Sequence, residues 1–168
     1  MNDFFCKIPT IEEMERKWNY QIATSSETNR ANWIFWKKEA ILHYQKGDSI
    51  SYYGILNDEI ICEATAMLNP DVVQNSKDLV DDVTAYLCAF RTIPDQQGQG
   101  YFSKLFCYMI DDLKERGFTK VTLGVEPNEQ KNLEIYQHYG FTEYIKRGIE
   151  QYPDGTTIQV DYYANSLF

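Results

Sequence analysis

A chain of 168 residues, 43% hydrophobic and 24% charged, has the length and composition of a soluble globular protein with a sizeable core. A formal charge of −9 at pH 7 and a pI near 4.7 exclude general nucleic-acid binding, which needs a basic face, and suit a cationic partner or substrate. No apolar run approaches the ~20 residues of a membrane-spanning helix, so no membrane partner is expected.

The N-terminal MNDFFCKIPT lacks the basic-then-apolar pattern of a leader. Residues 10–24 and 30–46 carry helical patterns. In the second, Trp33, Trp36, Ala40 and Tyr44 recur at helical spacing and Gly47 supplies a stop. Residues 49–68 read as a hairpin turning at Asn57-Asp58, and 69–82 as a polar, mobile loop with four acids. VTAYLCAFRTI, 83–93, is apolar on both faces and reads as a central strand. Residues 101–116 form the clearest helix, with Phe102, Leu105, Phe106, Met109, Ile110 and Leu113 in one stripe and Gly117 closing it. A strand (KVTLGVEP), a short helix (NLEIYQHY) and a hairpin turning at Pro153-Asp154-Gly155 complete the chain.

The predicted order is ααββ-β-α-β-α-ββ. Strand–helix–strand alternation in the middle implies parallel pairing there, between antiparallel hairpins. The expected fold class is therefore mixed α/β (α+β), in one domain spanning 1–168. Cys62, Cys88 and Cys107 sit among apolar residues, and with Cys6 show no metal-binding spacing. They read as free core thiols of a reducing, cytoplasmic compartment, and no metal is expected.

The stretch PDQQGQGYFSKL, 94–105, joins the central strand to the clear helix through Gly98 and Gly100. Its first helical turn carries Lys104 and no acid, although a helix N-terminus favours acids. Glycines let a backbone approach a ligand, and the first N–H groups of the helix then face it, so an anion such as a phosphate or pyrophosphate is the natural ligand. The plainer reading is a tight turn beside an exposed lysine. A P-loop would need Lys-Ser/Thr after the second glycine, which is absent. A dinucleotide GxGxxG fingerprint would place Ser103 at its third glycine and Glu126 as the ribose-binding acid. Such units usually open a chain, whereas here about 80 residues of helices and a hairpin precede the strand that leads into the loop.

QGQGYF resembles the acetyl-CoA loop R/Q-x-x-G-x-G/A of the GNAT superfamily of N-acetyltransferases. Gln97 takes the first place, Gly100 the middle glycine and Phe102 the last, with Pro94 three residues ahead. Downstream, NEQKNLEIYQHYGF is similar to the family's second signature and supplies Tyr136, Gly140 and Phe141. Phe102 departs from the usual Gly or Ala, and Asn128 and Asn132 compete for the family's helix-preceding Asn.

The resemblance implies a GNAT fold with about six to seven strands and acetyl-CoA as co-substrate. Its pyrophosphate would lie on the N–H groups of Gly98, Gln99, Gly100, Tyr101, Phe102 and Ser103, and its pantetheine arm along Phe90, Arg91, Thr92 and Ile93. It also implies acetyl transfer to a primary amine, of a small molecule or a protein, by direct attack in a ternary complex. Tyr136 would protonate the departing thiolate. Glu63, which interrupts the apolar run IICEATAML, is the first candidate base, and Glu126, at the end of the next strand, the second. His43 and His138 read as structural. Trp33, Trp36, Tyr52 and Tyr53 can line an acceptor cleft or enclose a cation, with core packing the favoured reading. The Tyr- and Val-rich last hairpin is a candidate homodimer contact. Two rivals remain: a non-catalytic acyl-CoA sensor on the same fold and a dinucleotide-binding oxidoreductase.

Overall fold

The computed structural model describes residues 3–168; Met1 and Asn2, the start of the segment tested for a leader, lie outside the described residues. The chain runs β1 (Phe4–Lys7), α1 (Ile11–Thr24), α2 (Glu27–Lys46), β2 (Ser49–Leu56), β3 (Glu59–Met67), β4 (Thr84–Thr92), α3 (Tyr101–Glu115), β5 (Lys120–Val125), α4 (Gln130–His138), β6 (Glu143–Gln151) and β7 (Thr157–Ser166). All strands join one seven-stranded sheet in the order β1-β2-β3-β4-β5-β7-β6. β4 is its centre, and β4–β5 is parallel between antiparallel neighbours, as the alternation of elements implies.

Local chemistry fixes the ends of the elements. Thr10 and Glu13 form a reciprocal capping box at α1. Ser26 accepts from the Asn29 N–H, which starts α2 three residues earlier than its aromatic spacing indicated. Asn57 and Asp58 both take positive φ, 50° and 69°, as a two-residue hairpin turn requires.

α3 lays Leu105, Phe106, Met109 and Leu113 on one face of the sheet, against Ile50, Ala64, Ala66, Leu87, Val121 and Leu123. α1 and α2 cover the opposite face near β2, where Met14, Trp18 and Tyr53 form a separate cluster. Strand alternation in β2 turns Tyr52 toward α3, where its hydroxyl donates to Asp112 at 2.6 Å, and Tyr53 toward α1 and α2.

Four readings of the sequence are corrected. β1 was not foreseen; it is a four-residue edge strand, too short to show a period. Cys107 is exposed, because helical geometry turns it off the stripe its apolar neighbours occupy. β7 lies inside the sheet between β5 and β6, so the free edge of the last hairpin is β6. The segment 69–82 is anchored, not mobile. Leu79 is fully buried against Val160 and Tyr162, and its carbonyl accepts from Thr122 Oγ1 at 2.8 Å. Asn75 Nδ2 also donates to the Ile149 carbonyl at 2.9 Å and to Tyr162 Oη at 3.0 Å.

Asn75→Ala is expected to cost about 1–2 kcal/mol in urea unfolding, from hydrogen bonds worth roughly 0.5–1.5 kcal/mol each. It should also open 69–82 to limited proteolysis, and an unchanged digestion pattern would refute the anchoring role.

Candidate active site

The site begins with an irregularity in β4. Across from β3, Glu63 faces Arg91 and Thr65 faces Cys88, so Ala89 and Phe90 share the place opposite Ala64. Ala89 takes φ of 56°, a left-handed conformation that costs a non-glycine residue roughly 1–2 kcal/mol. One extra residue reverses the strand's alternation. Cys88 faces the α1–α2 side; beyond the bulge Arg91 returns to that side beside Glu63. Phe90 turns instead toward α3 and α4, with ring centroids 5.4 Å from Phe102 and 5.6 Å from Tyr136.

β4 leaves β5 at the same point, since their pairing ends at Leu87–Leu123. The Ile93 N–H donates to the Ile61 carbonyl on β3, so strand alternation turns the Thr92 groups to the opened edge. There the Thr92 carbonyl accepts from Gln97 Nε2 at 3.1 Å.

A cavity of about 730 Å³ occupies this opening. Phe90, Arg91, Thr92, Gln97, Gly98, Gly100, Tyr101, Phe102, Ser103, Asn132 and Tyr136 line it, so most of the predicted cofactor residues come together. Three do not reach it. Ile93 packs into the core, the Gln99 amide turns back to the Asp95 carbonyl, and Asn128 lies off the wall, which leaves Asn132 as the asparagine of the cavity. Lys104 points to the rings of Phe4 and Tyr101 at 5.7 and 5.9 Å, and the lysine on the cavity wall is Lys131.

Gly98 and Gly100 hold φ of 76° and 84°, and a Cβ on either would meet no atom within 4 Å. Glycine is thus required there by backbone conformation, and the space beside it is open. Gly100 caps α3 without a side-chain hydrogen bond and no acid stands in the first turn, an arrangement suited to an anion. Burial, then the charge of Glu129, raise the pKa of Tyr136, which keeps its hydroxyl protonated.

A second cavity, of about 970 Å³, lies on the opposite face and shares Phe90 and Arg91 with the first. Ser51, Tyr53, Glu63, Thr65 and Cys88 belong to its sheet side, and Lys17, Trp18, Trp33 and Trp36 to its helix side. Trp33, Trp36 and Tyr53 pack with Met14 and Trp18, in line with the core reading, and also line this cleft, whereas Tyr52 is core alone. Successive ring centroids along Trp18, Trp33, Trp36 and Tyr152 are 5.9, 5.3 and 5.4 Å apart.

Glu63 Oε1 lies 2.8 Å from Lys17 Nζ, and Oε2 is 3.9 Å from Arg91 Nε. Burial lowers the pKa of Lys17, and Glu63 counters part of that. Glu126 lines neither cavity; burial and the neighbouring Glu129 and Glu150 raise its pKa.

Several residues here escaped the sequence reading. Lys17 had a readable signal, since a lysine on the stripe of Met14, Trp18 and Gln21 needs a buried partner. Glu150, which accepts from Tyr162 Oη at 2.7 Å and Tyr86 Oη at 3.4 Å, had none.

Residues 10–141 match the acetyltransferase (GNAT) family. The chain belongs to that family. A search of curated proteins finds no match. Among solved structures, the chain is similar to the Escherichia coli ribosomal-protein-S18-alanine N-acetyltransferase, at 18% identity and a TM-score of 0.69, covering 99% of this chain and 94% of that one. It is also similar to PaiA N-acetyltransferase of Thermoplasma acidophilum in complex with coenzyme A, at 14% and 0.64, covering 98% and 99%. The ribosomal-protein-alanine N-acetyltransferase of Brucella melitensis is similar at 11% and 0.64, covering 96% and 99%.

As a GNAT member the chain is an acyl-CoA-dependent N-acetyltransferase with acetyl-CoA as its co-substrate. The dinucleotide reading of the glycine loop falls with that assignment. No helix among the described residues is long and apolar enough to cross a membrane.

Burial pushes the Cys88 thiol up to about 12, with Glu150 and Glu63 adding to the shift, so a reactive thiolate is scarce at neutral pH. Iodoacetamide at pH 7.5 should therefore modify the exposed Cys107 at least about tenfold faster than Cys88, by peptide mass mapping. Equal labelling would contradict this account of the cleft.

Proposed function

We propose that the chain, acting as a single acetyltransferase domain, moves acetyl from acetyl-CoA to a primary amine by direct attack in a ternary complex. The supporting observation is the pair of cavities on opposite faces of the sheet that meet at Phe90 and Arg91, where β4 bulges and leaves β5. Coenzyme A belongs in the cavity of the glycine loop, with pyrophosphate at the start of α3 and pantetheine along Phe90 to Thr92. The Thr92 carbonyl, now bonded to Gln97, is a ready acceptor for a pantetheine amide. The acceptor amine belongs in the opposite cavity.

An alkyl amine of pKa about 10.4 must lose a proton, at a cost of roughly 4–5 kcal/mol at pH 7. We assign its removal to Glu63 ahead of Glu126, because Glu63 lines the acceptor cavity and Lys17 leaves most of its lone pairs unused. A backbone N–H at the bulge donates to the developing oxyanion, and Tyr136 protonates the departing sulfur. The scarce Cys88 thiolate favours direct attack over an acetyl-cysteine.

The rim favours an arriving ammonium, as the net charge suggested. Tyr152, which lines the acceptor cavity, has its pKa raised by burial and then by Glu126, Glu150, Glu129 and Asp154. Ribosomal-protein alanine is the substrate in the names of two of the similar structures, and protein amines stand beside small-molecule amines as acceptors here. The free thiols suit a reducing, cytoplasmic setting. A two-fold contact through the last hairpin would run through β6, and size exclusion returning only monomer across concentrations removes it.

Acetyl-CoA at 100 times its dissociation constant should add about 2.7 kcal/mol of stability, read by thermal shift, and NAD(P)H none. Initial rates should give intersecting, not parallel, two-substrate lines. Tyr136→Phe should keep the thermal shift and lower kcat by about 10²-fold or more. Binding without turnover of any amine, in either form, would leave the sensor reading instead.

Glu63→Gln strands Lys17 in the interior and should cost about 3–5 kcal/mol. The double variant Lys17→Met, Glu63→Gln should regain that stability while kcat stays down by roughly 10²-fold or more. A double variant with full kcat and an unchanged pH profile would acquit Glu63 as the base.

A further inference from the structure

Two cations, Lys17 and Arg91, line the acceptor cavity together with the imidazole of His43. Lys17 is committed to Glu63 at 2.8 Å and to the Trp18 ring at 3.4 Å. His43 has both ring nitrogens engaged, by Glu39 at 3.1 Å and Asp48 at 3.3 Å. Arg91 differs. Its contact is Glu63 at 3.9 Å, beyond hydrogen-bond reach and to a carboxylate already held by Lys17. A guanidinium carries five donors in a planar fork, so nearly all of this one's capacity is unspent. Its side chain is 35% exposed and borders both cavities. Of the other carboxylates, Glu39 lines the cavity but is engaged by His43, and Glu150 is held by the hydroxyls of Tyr162 and Tyr86 and does not line it. Two cations thus share one carboxylate on the cavity floor, within a chain of net charge −9.

Building on the transferase reading, we infer that the acceptor is a free α-amino acid with an aromatic or large apolar side chain, its carboxylate held by the Arg91 fork. A planar, two-oxygen anion is the group that fork matches. Arg91 follows Phe90 at the bulge, so a carboxylate bound there keeps the amine, one carbon away, at the place where the thioester is attacked. A polyamine or a lysine side chain would reach the same point and leave Arg91 unpaired. The amino acid's side chain enters the ring series of Trp33, Trp36 and Tyr152.

The step balances without an oxidant. The neutral amine's lone pair forms the N–C bond to the thioester carbonyl carbon, and the C–S bond breaks. Glu63 takes one proton from the ammonium before attack, and the sulfur leaves with the C–S electrons and gains a proton from Tyr136. The second amine proton, lost after the N–C bond forms, restores Tyr136 through solvent, giving the N-acetyl amino acid and CoA.

The test measures acetyl transfer to L-phenylalanine, L-tyrosine and L-tryptophan beside their amides, their decarboxylated amines and a peptide with N-terminal phenylalanine. The free acids should exceed the amides and amines by about 10²-fold in kcat/KM, since losing a charged partner strands the Arg91 donors. In Arg91→Gln that ratio should collapse to within about threefold, and Arg91→Lys, which keeps charge without the fork, should recover part of it. Because the readout is a ratio, any shared effect on coenzyme A binding cancels. Amides, amines or the peptide reacting as well as the acids would overturn the inference, as would a ratio that survives Arg91→Gln. No transfer to any of the panel, with acetyl-CoA still stabilising the protein, overturns it too and leaves the transferase reading standing. Absence of stabilisation by acetyl-CoA is the separate failure of that reading.

Discussion

The constraint on which the site depends is that β4 cannot stay paired to β5 along its whole length. Their parallel ladder stops at Leu87 and Leu123, two residues before Ala89, which the bulge lifts into a left-handed conformation. An ordinary strand would carry its alternation through and put Arg91 on the α3 side. The inserted residue reverses that, so Phe90 meets Phe102 and Tyr136 while Arg91 meets Glu63. Two faces of one sheet thereby gain neighbouring cavities at a single point of the backbone. A transfer reaction between two bound molecules needs such a crossing point. The strain at Ala89 persists because pairing to β3 on both sides of the bulge over-determines it.

The gap is held open from the other side by β5 and β7. Gly124 follows the last residue of β5 paired to β4, and a Cβ there would lie 2.5 Å from Val160 Cγ1 and 3.1 Å from Tyr86 Oη. Without it, the hydroxyls of Tyr86 and Tyr162 converge on Glu150 and pin the last hairpin beneath the acceptor cavity. Asn75 then fastens the 69–82 segment to the same tyrosine. The walls of that cavity come from parts of the chain far apart in sequence, joined by such side-chain bonds. Asn32 and Asp154, 122 positions apart, are another instance, at 3.2 Å.

This division explains what the sequence disclosed. The cofactor side is written in local signals. Positive-φ glycines at 98 and 100, the α3 stripe and the Tyr136-to-Phe141 ending each act within a few residues. Those signals pointed to the glycine loop and to the parallel pairing of β4 with β5 beside it. The acceptor side is written in long-range pairing. Nothing near Arg91 announces that a bulge two residues earlier turns it toward Glu63, and nothing near Trp36 announces Tyr152. The polar composition of 69–82 indicated mobility because it is blind to Leu79 and Val80, whose burial holds the segment. β1 was missed because its stability comes from its β2 partner and not from any pattern of its own.

The charge arrangement of the cleft bears on why Lys17 and Glu63 are present at all. Both are almost fully buried, and a buried ion pair adds little stability over an apolar pair of the same volume. A methionine facing a leucine there would hold α1 to β3 equally well. The pair sets a buried carboxylate, matched by a buried ammonium at 2.8 Å, on the floor of the larger cavity. It also occupies that carboxylate from the side away from Arg91, since Lys17 takes Oε1 and Arg91 approaches Oε2 only to 3.9 Å. The lysine thus gives the buried glutamate a partner and leaves the guanidinium's donors to the cavity. Stability alone accounts for neither choice.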